Sequence, residues 1–262
     1  MELYLLGEDP RSDGTVVLRG AEARHISRVL RHRPGDRVFA TDGCGTEFEI
    51  ELTEVGPRLV SGRLLTKRLR PREPLCRLTL AQAIIKGDRL SSIVEGAAQL
   101  GVARLIPFHS KRTVAGLSQT RLERLRSVAA EAVKCSTGTV IPEVVEPVTL
   151  DRVAEMAPDF ERSVVAYEEE TESKGLKEVL DPKAGSVLLV VGPEGGFEPG
   201  EIRRLAASGV ESFSMGPRRF KAETAGVVAA ALVFHLVGDL GGTKGKRTSK
   251  KGGVSEAWQV LS

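Results

Sequence analysis

The chain has 262 residues, 41% of them hydrophobic and 28% charged, with a net charge of +3. That length supports one large domain or two modest ones, and no apolar run is long enough for a bilayer span. Three cysteines and four histidines, scattered singly, make neither a disulfide framework nor a metal cluster. The opening Met1-Glu2-Leu3-Tyr4 lacks the basic and apolar segments of a secretion signal, so the expectation is a cytoplasmic protein with no membrane association and no metal.

The first seventy residues read as short strands separated by turns: Leu3–Leu6, Thr15–Leu18, Arg37–Thr41, Glu47–Leu52 and Leu59–Leu64. Pro34-Gly35 and Asp42-Gly43 supply the turn chemistry, and such regular spacing predicts a small β-barrel. Between two of these strands, Ala21–Arg31 predicts one short helix with Arg24, Arg28 and Arg31 on a single face. Arg70-Pro71-Arg72-Glu73-Pro74 then reads as a linker, because residues before proline are pushed towards extended conformations.

Beyond the linker, strands and helices alternate, which predicts a mainly parallel sheet. The expected strands are Arg77–Ala83, Arg104–Phe108, Ser163–Tyr167, Ser186–Val191 and Glu211–Met215. The expected helices are Leu90–Leu100, Gln119–Ser136, Pro199–Ala207 and Ala222–Val237. The last is apolar all round, so it is buried either inside one subunit or partly against a second copy. From Gly241 to Ser262 the chain is basic and aperiodic, with the composition of a disordered tail. Positive charge gathers at the two ends. Residues 1–72 hold 13 Lys and Arg against 11 Asp and Glu, residues 73–240 hold 20 against 23, and residues 241–262 hold 5 against 1. Such an arrangement suits either a polyanion gripped by the flanks or ordinary solvated surface.

The chemistry concentrates where the strand Val187–Val191 runs into Gly192-Pro193-Glu194-Gly195-Gly196-Phe197. A second glycine turn follows, Met215-Gly216-Pro217-Arg218, and then Lys221-Ala222-Glu223-Thr224-Ala225 opens the apolar helix. Open α/β sheets bind ligands outside the carboxyl ends of their strands. Neither the dinucleotide fingerprint nor a phosphate loop is present, and Pro193 removes a backbone N–H that a phosphate cradle would use. A ligand held by carbonyls and a few N–H groups fits better. Glu223 beside Thr224 at a helix start reads as satisfying free N–H groups, and Glu194 as a loop-ordering acceptor. Tyr167 reads as a core tyrosine or as a pocket wall.

Together these residues resemble the ribosomal RNA small subunit methyltransferase E family of the SPOUT superfamily. His25–Arg31 with Gly35-Asp36, Lys86-Gly87-Asp88-Arg89, Glu95 through Gly101-Val102, Lys111–Val114 and Glu131-Ala132 extend the likeness over roughly residues 1 to 240. The chain departs from the family pattern at Gln99, at Lys134–Gly138 and at Lys221.

The resemblance implies a SPOUT-type knotted α/β domain at residues 73–240, preceded by a PUA-like β-barrel RNA-binding domain at residues 1–72. It implies a homodimer that uses S-adenosylmethionine to methylate N3 of a uridine in small-subunit ribosomal RNA. Gly192, Pro193, Glu194, Gly195, Gly196, Met215, Gly216 and Ala222 are the expected cofactor residues. Arg218, Lys221, Glu223 and Glu194 are the expected catalytic groups, and Arg24, Arg28, Arg31 and Arg112 the expected RNA contacts. The alternatives are a SPOUT enzyme acting on tRNA or another rRNA site, and a non-catalytic RNA-binding module.

Overall fold

Two sheets divide the chain. The computed structural model describes residues 2–167 and 174–242. The first sheet comprises β1 (Leu3–Leu5), β2 (Thr15–Arg19), β3 (Arg37–Thr41), β4 (Thr46–Val55) and β5 (Leu59–Leu69). They are ordered β1-β3-β4-β5-β2, with β1 parallel to β3 and the other pairs antiparallel. Two register shifts in the β4–β5 pair bend the ribbon into a curled half-barrel. Its concave face buries Phe48, Ile50 and Leu52 at alternate positions of β4 against Val16, Leu18, Val38 and Val60.

Helix α1 (Gly20–Arg24) and a π-helical turn over His25–Val29 close one end of this core with Ala23 and Ile26, both fully buried. The single helix expected over 21–31 is therefore shorter and mixed in winding. It stops because Arg31 turns left-handed (φ 57°), and the N–H of His32 donates back to the Ile26 carbonyl.

The second sheet is all parallel and follows the order β12-β10-β11-β6-β7-β8. It is built from β6 (Arg77–Ala83), β7 (Arg104–His109), β8 (Glu143–Val144), β10 (Arg162–Ala166), β11 (Ser186–Val191) and β12 (Glu211–Phe213), while β9 (Val148–Thr149) also pairs with β7. The uninterrupted apolar run of β11 follows from its central place. Val187, Leu189 and Val191 feed one core, and Leu188 and Val190 the other. Helices α2 (Arg89–Leu100), α3 (Gln119–Ser136), α5 (Leu176–Val179) and α7 (Ala222–Leu236) contribute to the first core, and α4 (Leu150–Met156) and α6 (Pro199–Ala207) to the second. The strand expected to reach Met215 ends at Phe213, where the chain turns into the second glycine loop. The short β8, β9, α4 and α5 have no counterpart among the expected elements.

A seam joins the sheets. The Thr139 carbonyl accepts from both Thr41 Oγ1 (3.0 Å) and the Gly45 N–H (2.9 Å), and the Ile141 N–H donates to the Gly43 carbonyl (2.8 Å). Lys134 of α3 pairs with Glu22 of α1 and with Glu131, each at 2.8 Å. Burial acts to lower the Lys134 pKa, but those two carboxylates outweigh it and hold the ammonium above the ordinary lysine range. Arg72 reaches the buried Glu47 and the Thr137 carbonyl, while Glu73 accepts from Thr139 and Val140. Among the described residues no helix is long and apolar enough to cross a membrane. From residue 243 the basic tail lies outside the described residues.

Candidate active site

Strands β10, β11 and β12 lie side by side, and their carboxyl ends open into one cavity of about 770 Å³. Gly192, Pro193 and Glu194 form one wall, Met215, Gly216, Arg218, Arg219 and Phe220 a second, and Lys221, Ala222 and Glu223 at the start of α7 a third. Arg89, from the first turn of α2, and Tyr167, just past β10, complete it. Tyr167 thus lines the cavity while packing, partly buried, against the second core.

Local packing explains the loop shapes. A methyl built on Gly192 would meet the Phe197 ring at 2.8 Å, so the ring's position demands a residue without Cβ. Phe197 is 3% exposed and lies parallel to Phe108 at 6.4 Å between centroids. Gly216 (φ 106°) adopts a conformation that L side chains rarely take, with open space around it. Gly195 and Gly196, expected to touch the cofactor, are not among the residues that line the cavity. The N–H of Gly196 donates to the Pro193 carbonyl, and the Gly195 carbonyl accepts from Arg112 Nη1 at 2.7 Å. These two bonds fix the shape of the turn.

Glu201, 4% exposed in α6, fixes the neighbourhood by accepting from the N–H groups of Lys111 and Glu198, each at 2.9 Å. Arg112, expected to contact RNA across the crevice, is held in this way against the glycine loop.

Charge inside the cavity is arranged around Arg89. Its Nη1 lies 3.4 Å from Glu194 Oε1 and 3.8 Å from Glu223 Oε2. Glu194 Oε1 also accepts from the Lys86 N–H at 3.2 Å. Glu223 Oε2 is buried and has no hydrogen-bond donor among the described residues. In the first turn of α7 the N–H groups of Thr224 and Ala225 bond to the Lys221 carbonyl, and no side-chain hydrogen bond caps the helix. Glu223 is therefore not a cap. Its carboxylate faces Arg89 instead.

Arg218, Arg219 and Lys221 are exposed at the rim, with no ion pair among the described residues. Four cations face two carboxylates, a balance that favours an anionic ligand or a developing negative charge. Arg89 and Arg219 were absent from the expected site. Arg89 has a signal in the polar Lys86-Gly87-Asp88-Arg89 immediately before an apolar helix, whereas nothing local distinguishes Arg219. Arg24, Arg28 and Arg31 are exposed on the half-barrel and do not line the cavity. Among the described residues no group of His, Cys, Asp and Glu could hold a metal ion.

Residues 71–234 match the RNA methyltransferase domain family, and residues 18–65 the RNA methyltransferase PUA domain family. The chain is 30% identical over 230 residues to the ribosomal RNA small subunit methyltransferase E of Bacillus subtilis (strain 168), covering 84% of this chain and 90% of that one. It is also 30% identical over 244 residues to the protein of that name from Mycobacterium bovis, covering 89% and 91% respectively. A crystal structure of a ribosomal RNA small subunit methyltransferase E from Neisseria gonorrhoeae, bound to S-adenosyl methionine, superposes with a TM-score of 0.81. It shares 25% identity, and the match covers 90% of this chain and 98% of that one.

Proposed function

The chain belongs to the ribosomal RNA small subunit methyltransferase E family, and from that premise we propose that it methylates N3 of a uridine in 16S rRNA of the small ribosomal subunit. It is an S-adenosylmethionine-dependent rRNA methyltransferase with a SPOUT-type fold. The observation that carries the finer reading is the cavity where two carboxylates meet four cations beside a glycine loop.

The residues present fit the cofactor. The volume suits a ligand of that size with space to spare for a base, and the walls offer backbone and apolar surface from Val191, Met215 and Ala225. Glu223 Oε2, ion-paired with Arg89 at 3.8 Å, accepts no hydrogen bond among the described residues and can take one from a ligand. Gly192, Pro193, Glu194, Met215, Gly216 and Ala222 would bound the bound molecule, with Gly195 and Gly196 shaping the loop. Bound there, S-adenosylmethionine supplies an electrophilic methyl group.

The protein's own task is to prepare the nucleophile. N3 of uracil keeps its proton near neutral pH, so a base must accept that proton while cations stabilise the charge growing on the ring. Glu194 or Glu223 takes the proton. Arg218 and Lys221, joined by Arg89 and Arg219, face the anion. N3 lies on the pairing edge, so the target base must be unpaired or turned out of its helix. Residues 1–72, with Arg24, Arg28 and Arg31, serve as the RNA-gripping unit, and residues 73–240 as the catalytic unit. The enzyme works in the cytoplasm as a homodimer; the second copy is supported by Leu232, an apolar side chain 36% exposed on α7.

The test is tritiated methyl transfer onto isolated small subunits, 16S rRNA and bulk tRNA, followed by mass spectrometry of the product nucleoside. 3-Methyluridine in small-subunit RNA is the expected result. Label in tRNA alone, or none in any RNA, would overturn the substrate assignment.

A further inference from the structure

Gln82, next to last in β6, is 1% exposed and does not line the cavity. It pairs in register with Val191, the last residue of β11 before the glycine loop. Its side-chain Nε2 lies 3.3 Å from the carbonyl oxygens of Ala83 and Gly192 and 3.5 Å from that of Val191. Three acceptors around one end of an amide require the nitrogen there, since the reverse orientation would set oxygen against oxygen. The other end, Oε1, is buried with no hydrogen-bond donor among the described residues.

That oxygen faces Gly226 in α7. A methyl built on Gly226 would lie 2.6 Å from Gln82 Oε1 and 3.2 Å from Ile93 Cγ2. The helix can therefore approach β6 at this level only through a residue without a side chain. One buried amide thus touches the root of the Gly192 loop on one side and α7 on the other. Those two elements carry Glu194 and Glu223 into the cavity. A buried acceptor without a donor is costly, and an apolar side chain of the same shape would remove that cost. Its presence points to a use for the donor end.

We infer that Gln82 is a positioning residue for cofactor binding: its amide holds the Val191–Gly192 carbonyls and sets the spacing between the glycine loop and the start of α7. The inference rests on the cofactor reading above. It assigns the residue no contact with either substrate. Its effect is to fix the exit angle of the loop whose backbone bounds the ligand.

Calorimetry with S-adenosylmethionine and steady-state kinetics on small subunits test it, using the full chain and the variants Gln82→Met and Gln82→Glu, with melting curves to establish folding. Gln82→Met keeps the shape and removes the donor. It should raise the dissociation constant about tenfold, the equivalent of one to two hydrogen bonds, and leave kcat at saturating cofactor nearly unchanged. Gln82→Glu is closer in shape but turns acceptors onto three carbonyls, so it should bind more weakly still. A side chain that only fills space predicts the opposite order. Wild-type affinity in both variants, or affinity and kcat falling together, would overturn the inference. If Gln82→Glu does not fold, the split between affinity and kcat in Gln82→Met decides alone. Failure of the wild-type chain to bind would instead remove the cofactor reading, and this inference with it.

Discussion

Arg112 donates to the Gly195 carbonyl at 2.7 Å, and its Cβ and Cδ lie 3.4 Å from where a methyl on that glycine would stand. The guanidinium braces the glycine loop from outside the cavity. Lysine has the charge but not the planar fork that reaches this carbonyl while its stem covers the glycine. Arg112→Lys should raise the KM for S-adenosylmethionine by about three- to tenfold, the worth of one charge-assisted hydrogen bond at an exposed site. Gly195→Ala makes only ordinary contacts and should cost less than about 0.5 kcal/mol in a denaturant titration.

Gly192 makes the opposite prediction. Its missing Cβ is required by Phe197, so Gly192→Ala should destabilise the chain by about 1–3 kcal/mol through overpacking. Combining it with Phe197→Leu should recover part of that stability, and a double-mutant cycle on urea midpoints measures the coupling. Strict additivity would show that the ring and the glycine do not conflict.

Arg89 bridges the two candidate bases, and its removal leaves both carboxylates without their shared partner. Arg89→Met should lower kcat/KM by about tenfold to a hundredfold while the protein stays folded. In the same assay, Glu194→Gln and Glu223→Gln separate the roles. The substitution that removes the acidic limb of the pH–rate profile identifies the proton acceptor, and an unchanged profile in both excludes them.

How much of this was legible beforehand depends on whether the signal was local. Val187–Val191 could be read as a doubly buried parallel strand because every residue points into one of two cores. Leu122, Leu125, Val128, Ala129 and Ala132 recur at helical spacing, and they form the face of α3 that packs on the first core. The two-residue β8 and β9 and the seven-residue α4 carry too few residues for a period to emerge. Within the site, the glycine loops and the start of α7 were visible as sequence punctuation. Arg89 reaching Glu194, and Phe197 folding back under Gly192, are products of tertiary packing. For Gly195 and Gly196 the composition of the loop was informative, but which of its residues line the cavity was set by packing.

Lys134 ties α3 to α1 across the seam, with its side chain 17% exposed and Glu22 at 16%. Lys134→Met should cost about 1–2 kcal/mol, because Glu22 is left half-buried without its cation. Since the folded-state pKa of Lys134 is raised, its contribution is complete below the ordinary lysine value and fades as pH climbs through the higher folded one. Thermal stability of the wild type should therefore fall more steeply than that of Lys134→Met in strongly alkaline buffer.

Arg24, Arg28 and Arg31 stand apart from the cavity, so their effects should separate from chemistry. Replacing each by Gln should weaken RNA binding and reduce the salt slope by about 0.7–0.9 for each phosphate that is no longer neutralised. Cofactor affinity should not move. A salt slope unchanged in the triple variant would remove these residues from the RNA interface.

The Thr139 carbonyl, shared by Thr41 and Gly45, makes the half-barrel and the parallel sheet one rigid gauge. Were RNA held on the half-barrel, as proposed above, this tie would set the distance at which its nucleotides meet the cavity.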